Sequence, residues 1–386
     1  MRRSLQRELN DFFGRLNDSN YSIQRVTKGA FTQARAKLKH EAFIELSQSS
    51  VDFFYNNAPY LLWDKHRVLV CDGSTVMLPN SKNIKESFAP TGFGPNGDVE
   101  RSVATVSLIY DALNLVTLNA KLDTYNVSEN TLLKAQLKEV SFKPDDILLL
   151  DRGYPSIGLL YELHHRKIGF CVRLKDNWWK AVNEMLKAGE TDRIVTFSLP
   201  KKDKGLQQLF QEESDTVTVR ISVIDLGEGK KEILCTSLLD TQNYTLEDLK
   251  QLYHIRWGIE EAYKLFKVRA DLESFSGMTA LSVKQDFHAG ILAMNLCAMM
   301  SFPIEQKVRE ESKDAQLKNI KKVNRTNAFA LIKESMVGVF LKKKKKQFLE
   351  TIDHILQKTT EIVRHNRKFP RNHKQKKPKS MNYKIM

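Results

Sequence analysis

The sequence lacks the features of a secreted or membrane-spanning protein. Only four cysteines occur, too far apart for a disulfide framework or a zinc site: Cys71, Cys171, Cys235 and Cys297. The most apolar run, residues 289–303, is interrupted by Asn295 and is shorter than the roughly 20 residues that span a bilayer. The first residues contain no apolar stretch of the signal-peptide type. We therefore expect a cytoplasmic chain in a reducing compartment, with no membrane partner and a buried helix at 289–303.

An excess of acidic charge is also absent, and the basic excess lies at one end of the chain. The formal net charge is +15, from 61 Lys or Arg and 46 Asp or Glu. Residues 301–386 hold 23 of the basic and 8 of the acidic residues, which leaves 38 of each in residues 1–300. Such a segment suits a nucleic acid, because binding releases the counterions of the polyanion. The alternatives are a solubilising tail or one that meets RNA nonspecifically. Residues 364–384 are expected to be disordered when free.

The hydrophobic pattern of residues 63–177 predicts a mixed sheet. Short apolar runs bounded by turn residues indicate strands. The runs are 67–74, 103–110, 115–122, 146–150 and 169–174, with helical periods at 128–140 and 156–166. This order predicts three antiparallel strands, then parallel strands added through helices. Asp72, near the end of the first strand, and Asp151, after the fourth, would then lie on neighbouring strands.

A helix predicted over residues 244–277 carries one polar face. If each residue advances the helix by about 100°, four polar side chains fall within an arc of about 60° beside an apolar stripe. They are Tyr253, Arg256, Glu260 and Lys267. Taken alone, the pattern also suits a solvated amphipathic helix with surface ion pairs.

Asp72, Asp151 and Glu260 would together form an all-oxygen ligand set. Carboxylate oxygens suit Mg²⁺, with Mn²⁺ able to substitute. Two such ions about 3.5–4 Å apart can activate a water and stabilise the leaving oxygen of a phosphodiester. Arg256, Lys267 and Tyr253 would position a nucleic acid beside them, Arg256 and Lys267 through its phosphates and Tyr253 through its hydroxyl. Each acid also has a simpler interpretation. The two aspartates could be ordinary turn residues, and Glu260 has a competitor for its role in the adjacent Glu261.

These residues carry a specific resemblance. The spacing Tyr253-x2-Arg256-x3-Glu260-x6-Lys267 resembles the Y-R-E-K signature of a family of bacterial DDE insertion-sequence transposases. Asp72-Gly73-Ser74-Thr75 resembles the first-aspartate motif of that family, and Leu150-Asp151-Arg152-Gly153-Tyr154 resembles the second. The segment at 30–38 is similar to the N-terminal helical region common in these proteins. The resemblance runs from about residue 20 to 300.

The resemblance implies an RNase H-like core, a five-stranded mixed sheet with flanking helices, interrupted by a β-rich insertion. It implies cut-and-paste DNA transposition with two Mg²⁺ ions held by Asp72, Asp151 and Glu260. Water first cuts the end of the element, and the freed 3′-hydroxyl forms a hairpin or joins target DNA. The implied partners are double-stranded DNA with terminal inverted repeats, target DNA and a second copy of the chain on paired DNA ends. The implied location is the nucleoid of a bacterial cytoplasm.

Hairpin-forming members of that family stack an extruded base on an aromatic side chain near the insertion. Trp178 and Trp179 are the candidates by location. Their simpler interpretation is packing between the core and the insertion. Arg173 and Lys175, just before them, could touch the same DNA strand.

The expected division of the chain has five parts. They are 1–62, a helical N-terminal region; 63–177, the first part of the core; 178–243, a mainly β insertion; 244–300, the second part of the core with the catalytic helix; and 301–386, a basic helical region and flexible tail. In the first part, Lys28, Arg35 and Lys39 form a polar helix face that could bind DNA, or the region could cap the next domain.

Three other functions fit part of the pattern. One is a DNA-binding relative that has lost catalysis, and a second is a nuclease of the same fold that cleaves without joining. A third is a glycosidase that uses two of the acids as a catalytic couple. The basic C-terminal region and the Tyr-Arg-Lys face disfavour the glycosidase.

Overall fold

A computed structural model of the chain describes residues 4–19, 21–93, 99–176, 178–269, 272–341 and 345–363. The predicted tail at 364–384 and three of the five consecutive lysines, at 342–344, lie outside the described residues.

The N-terminal region is helical, as predicted, and leads into the strands of the core. The elements up to the insertion are α1 (Leu5–Leu16), α2 (Lys28–Arg35), α3 (Glu41–Asn57), β1 (Arg67–Met77), α4 (Lys82–Phe88), β2 (Thr91–Phe93), β3 (Val99–Arg101), β4 (Val103–Asp111), β5 (Val116–Thr124), α5 (Glu129–Glu139), β6 (Asp146–Leu150), α6 (Ile157–His165) and β7 (Gly169–Leu174).

The second half begins with the insertion and ends in further helices. Its elements are α7 (Lys180–Ala188), β8 (Asp192–Ser198), α8 (Gly205–Phe210), β9 (Thr216–Asp225), β10 (Lys231–Thr236), α9 (Leu246–His254), α10 (Gly258–Lys264), α11 (Ala280–Asp314), β11 (Lys321–Val323), α12 (Arg325–Leu341), α13 (Lys345–Lys358) and β12 (Thr360–Ile362).

One eight-stranded sheet, in the order β5-β4-β1-β6-β7-β10-β9-β8, organises the molecule. β1 pairs antiparallel with β4, and β4 with β5, whereas β6 is parallel to both β1 and β7. These five strands have the order and directions predicted for an RNase H-like core. The β-rich insertion, predicted as a part of its own at 178–243, instead extends the core sheet, because β10 pairs with β7 and its three antiparallel strands continue the same sheet.

Apolar residues cover both faces of the sheet. Along β1, Val68 and Val70 face a core shared with α9, α10 and α11, while Leu69 and Cys71 face a core shared with α5 and α6. A strand buried on both faces reads as an uninterrupted apolar run, which is why β1 was visible in the sequence. All four cysteines are buried and free.

A buried ion pair fixes the register of β1 against β6. The guanidinium of Arg67 donates to both carboxylate oxygens of Asp146, at 2.8 and 2.6 Å, and the two side chains are 4% and 1% exposed. Arg67 lies opposite Asp146 in the parallel ladder, and Cys71 therefore lies opposite Leu150. The next residue on each chain segment is Asp72 and Asp151.

The helix predicted over residues 244–277 is broken into pieces of different winding. Thr245 and Asp248 form a reciprocal capping box at the start of α9, as the sequence suggests. A 3₁₀ turn at Ile255–Trp257 separates α9 from α10, and a π-helical turn at Leu265–Arg269 follows. Gly258 packs directly on Ala112, where an added Cβ would lie 3.1 Å from the alanine Cβ. The polar residues therefore do not lie along one straight solvent-facing stripe.

The long apolar helix α11 is a core helix that continues past residue 300, the expected end of the core. By length and composition it could cross a membrane, and 44% of its apolar window is buried inside the protein. Asn295, which interrupts the apolar run, is fully buried and bonds the backbone of Thr117 on β5 through both its amide oxygen and nitrogen, at 2.7 and 2.8 Å.

The N-terminal region is anchored on α11 through an arginine that was expected on a polar surface. Arg35 donates to Gln285 at 2.8 Å and to Asp286 at 3.0 Å, and it also bonds Ser276. Only 13% of its side chain is exposed. Arg35 therefore holds α2 in place, whereas Lys28 and Lys39 remain exposed.

Candidate active site

Asp72 and Asp151 lie side by side because of the parallel pairing of β1 and β6. Asp72 was expected near the end of its strand, but β1 runs on to Met77 because its pairing with β4 extends over residues 69–77. The Asp72 carboxylate accepts a hydrogen bond from the backbone N–H of Gly73 at 2.9 Å. Tyr263 of α10 donates to the backbone carbonyl of Asp72 at 2.8 Å, so α10 is bonded to this point of the strand.

Burial raises the pKa of Asp72 from its usual 3.8 to about 6. The Gly73 N–H and the Arg256 guanidinium oppose the shift, while the neighbouring carboxylates of Glu129 and Asp151 add to it. Only 24% of the Asp72 side chain is exposed. Several carboxylates therefore lie close together in a partly desolvated site, and a bound cation would relieve their mutual repulsion.

Arg256 lies between two of the predicted acids. Its guanidinium is 3.9 Å from the Asp72 carboxylate and 3.4 Å from that of Glu260. The side chain is buried between the rings of Tyr253 and Trp257, at 5.7 and 5.4 Å from their centroids. Within the described residues its Nε has no acceptor. Arg256 thus bridges the strand and the helix, and its buried Nε–H is left without an acceptor.

Tyr253 and Lys267 complete the signature, and both are directed at the strands. The Tyr253 hydroxyl lies 3.3 Å from the carbonyl of Leu150 and 3.5 Å from the carboxylate of Asp151. Burial raises the pKa of Tyr253, so this phenol stays protonated. The Lys267 ammonium donates to Thr75 of β1 at 2.6 Å and also bonds the hydroxyl of Ser74.

The donor chemistry of these acids suits a hard divalent cation, although no ready-made ligand cluster is present. In the parts of the chain that the structure describes, no three His, Cys, Asp or Glu residues are grouped as a metal site. Asp72 and Glu260 are instead both paired with Arg256. Mg²⁺ and Mn²⁺ prefer oxygen ligands such as carboxylates, so the residues present fit such an ion once Arg256 moves away from Asp72 and Glu260.

The comparison with known proteins decides the family. Residues 63–296, more than half of the chain, match the family described as Transposase DDE domain.

The chain belongs to this DDE transposase family.

Members of the family are enzymes that cleave DNA and transfer strands, and they use divalent metal ions. The chain is 26% identical over 277 residues to Transposase InsG for insertion sequence element IS4 of Escherichia coli (strain K12), which covers 70% of this chain and 60% of InsG. It spans about 60% of the length of that curated relative. The resemblance to bacterial DDE insertion-sequence transposases is thus confirmed.

A solved structure is also similar. It is the cryo-EM structure of the piggyBac transposase synaptic complex with hairpin DNA, with 12% identity and a TM-score of 0.42 over 75% of this chain and 57% of that one. A similarity of this size carries no argument about this chain.

The two tryptophans expected near the DNA of a DDE transposase differ in environment. Trp178 is 46% exposed, and the ammonium of Lys175 lies 4.9 Å from its ring centroid. Trp179 packs edge-on against Phe197 of β8, with centroids 4.9 Å apart. Trp178 is therefore the more available of the two for stacking.

Arg173, the remaining predicted DNA contact, is paired within the protein. Its Nε lies 3.5 Å from the carboxylate of Glu232 on β10. Burial raises the pKa of Glu232, while Arg173 and Arg256 lower it and Asp151 raises it further. Arg173 thus belongs to the same electrostatic network as the acids, through Glu232.

Sequence reasoning about this DDE transposase missed the groups that surround its two aspartates. They are Glu129, Tyr154, Glu232 and Tyr263. Tyr154 belongs to the second aspartate motif, but no role was predicted for it. Glu129 had one weak signal, since it follows Ser128 at the start of a helix that returns to the sheet.

Proposed function

We propose that the chain is a DNA transposase that cleaves the ends of its own insertion sequence and joins them to target DNA. Asp72, Asp151 and Glu260 hold two Mg²⁺ ions, for which Mn²⁺ substitutes. The observation that carries the proposal is the β1–β6 register, which places Asp72 beside Asp151, together with the Arg256 bridge from Asp72 to Glu260.

The reaction is phosphoryl transfer at the end of the element. Water attacks the phosphorus, the bond to the 3′ oxygen breaks, and a 3′-hydroxyl and a 5′-phosphate are left. The freed hydroxyl then attacks a second phosphorus, either in the opposite strand to give a hairpin or in target DNA. The new ester bond forms as the bond from that phosphorus to its 3′ oxygen breaks, and the attacked strand is left with a 3′-hydroxyl. When bound, the cations supply Lewis-acid chemistry at the phosphodiester. Most of the remaining rate comes from positioning and charge stabilisation.

The residues of the chain have separate tasks in this reaction. Tyr253 holds the loop that carries Asp151, and Lys267 holds the Ser74–Thr75 part of β1. The guanidinium of Arg256, whose buried Nε–H has no acceptor, suits a phosphate once it moves away from Asp72 and Glu260 as the cations bind. Trp178 would stack on an extruded base, with Lys175 beside it on the same DNA strand.

The partners follow from the family and from charge. They are double-stranded DNA with terminal inverted repeats, target DNA and a second copy of the chain on paired ends, in the nucleoid of a bacterial cytoplasm. We also propose the division of the chain into the five parts given above. The basic residues after 300 would contact DNA nonspecifically.

The test is cleavage of DNA taken from the two sides of the gene. A labelled duplex that includes those flanks is incubated with the protein and Mg²⁺. We expect EDTA-sensitive cuts at the element ends and joined products when target DNA is added. Asp72→Asn, Asp151→Asn and Glu260→Gln should each abolish cleavage while DNA binding persists.

Glu261→Gln is the matched control, since Glu261 neighbours Glu260 but lies 3.9 Å from Lys322. It should cleave as the unsubstituted protein does. Cleavage by any of the three acid variants would overturn the metal assignment. Cleavage without joining would show a nuclease instead of a transposase.

A further inference from the structure

A fourth carboxylate, Glu129, lies beside the two aspartates. It is the first residue of α5, directly after the N-cap Ser128, whose hydroxyl accepts from Thr131 N–H at 3.2 Å. The neighbouring Asn130 donates to the carbonyl of Gly153 at 3.2 Å. The first turn of α5 is therefore fixed to the loop that follows Asp151.

The Glu129 carboxyl packs directly on the backbone after Asp72. A Cβ built on Gly73 would overlap Oε1, Cδ and Cγ of Glu129. The β-carbon position at residue 73 is thus filled by the carboxyl group of Glu129. A glycine at this point is explained by that close approach, because glycine in a strand often marks a site where another group comes close.

Glu129 is in electrostatic contact with both aspartates. Burial raises the pKa of the Glu129 carboxyl, the buried Tyr154 hydroxyl lowers it, and the Asp151 charge raises it further. Its own charge acts in turn on Asp72. Among the described residues, Glu129 forms no ion pair with a lysine or an arginine. A partly buried carboxylate beside two others is unfavourable unless a cation balances it.

We propose that Glu129 is a positioning residue of the cation site, which holds the Asp72–Gly73 backbone in place and adds negative charge beside Asp72 and Asp151. This inference rests on the proposed function, since it assigns a further residue to the same site. Replacing a group that orients the metal ligands but does not itself bind the metal typically lowers metal affinity about 10–100-fold.

The first test measures cation binding without DNA. Mn²⁺ is titrated into the full chain and free Mn²⁺ is read by electron paramagnetic resonance. Glu129→Gln should weaken Mn²⁺ binding about 10–100-fold. The control is Glu139→Gln at the other end of α5, where the carboxylate pairs with Lys121 on the surface. That variant should bind Mn²⁺ unchanged, and equal binding by both variants would overturn the inference.

A second test can be used even if Glu129→Gln folds poorly. Gly73→Ala should displace the Glu129 carboxyl and weaken Mn²⁺ binding, because the new methyl group takes its place. In a Glu129→Ala background the same Gly73→Ala change should have little further effect, since the overlapping atoms are gone. Equal effects of Gly73→Ala in both backgrounds would contradict the direct contact.

The cleavage reaction separates this inference from the proposed function. With Glu129→Gln, the Mg²⁺ concentration for half-maximal cleavage should rise by the same factor, and saturating Mg²⁺ should restore most of the rate. A purely structural role would lower the rate at every Mg²⁺ concentration and would count against the inference. If the unsubstituted protein binds Mn²⁺ but cuts no DNA, the transposase function fails, whereas the comparison of Mn²⁺ affinities still decides the role of Glu129.

Discussion

Replacing Asp72 by asparagine should remove catalysis and at the same time stabilise the cation-free protein. Burial raises the pKa of Asp72 from 3.8 to about 6, so the ionised carboxylate is less favourable in the folded state than in the unfolded chain. Asparagine carries no charge, and its side-chain oxygen can still accept the hydrogen bond from Gly73 N–H. The change therefore removes an unfavourable charge and keeps the local geometry.

The magnitude follows from the pKa difference. At about 1.4 kcal/mol for each pH unit, the rise from 3.8 to about 6 corresponds to an upper value of about 3 kcal/mol at pH 8. Partial exposure of the side chain reduces this, and we expect the free energy of unfolding to increase by about 2 kcal/mol. Because the folded pKa is the higher one, the unfavourable contribution is absent below the unfolded pKa of 3.8, grows as pH rises from there to about 6, and is constant above that.

The assay is urea unfolding of both proteins with EDTA at pH 8, 6 and 4. The advantage of Asp72→Asn should be largest at pH 8 and should approach zero at pH 4. An excess of Mn²⁺ should reverse the order at pH 8, because a cation bound to the carboxylates stabilises the unsubstituted protein. An advantage that is independent of pH, or a loss of stability at pH 8 in EDTA, would refute the reasoning.

Two further predictions concern the frame of the site and its DNA contact. Asp146→Ala leaves the buried guanidinium of Arg67 unpaired, so the free energy of unfolding in urea should fall by about 3–5 kcal/mol. A loss below about 1 kcal/mol would show that the Arg67–Asp146 pair does not fix the register of β1 against β6. Trp178→Ala should leave the melting temperature unchanged and lower the affinity for a hairpin-ended duplex by about 1–3 kcal/mol in fluorescence polarisation. Trp179→Ala should lower the melting temperature because it loses the contact with Phe197, and the reverse assignment of the two effects would exclude Trp178 as the stacking residue.

The sheet could be predicted from the sequence because its central strands are buried on both faces. The apolar runs of β1 and β6 are uninterrupted, and each leads to an aspartate. Pairing rules for such strands then bring Asp72 and Asp151 together without any knowledge of side-chain contacts. The continuation of β1 beyond residue 74 to Met77 was not predicted, because Asp-Gly is usually a turn and only pairing with β4 overrides that preference.

The polar face of residues 244–277 was predicted less well, because the prediction assumed a constant rotation per residue. A 3₁₀ turn advances about 3.0 residues per turn and a π turn more than the α-helical 3.6, so side chains on either side of each change are rotated relative to one another. Arg256 lies in the 3₁₀ turn and is buried, and Lys267 lies in the π turn and bonds β1. Spacing identified these residues, but tertiary contacts determine their direction.

The C-terminal region shows the other limit of sequence reasoning. Its charge and its helical character were predicted, but its packing was not: α12 and α13 pack on α11, and Phe329 and Ile332 of α12 join the same core as α9 and α10. Glu129 was missed for a related reason, since its proximity to Gly73 depends on how α5 packs across the sheet.

The central claim is that Asp72, Asp151 and Glu260 together hold the divalent cation. Iron-directed cleavage of the protein backbone tests it most directly: Fe²⁺ replaces Mg²⁺, ascorbate and peroxide generate hydroxyl radicals at the bound iron, and the fragments are mapped by mass spectrometry. We predict cuts close to residues 72, 151 and 260, suppressed by excess Mg²⁺ and lost in Glu260→Gln but retained in Glu261→Gln. Cuts confined to other parts of the chain, or cuts that persist unchanged in Glu260→Gln, would contradict the assignment.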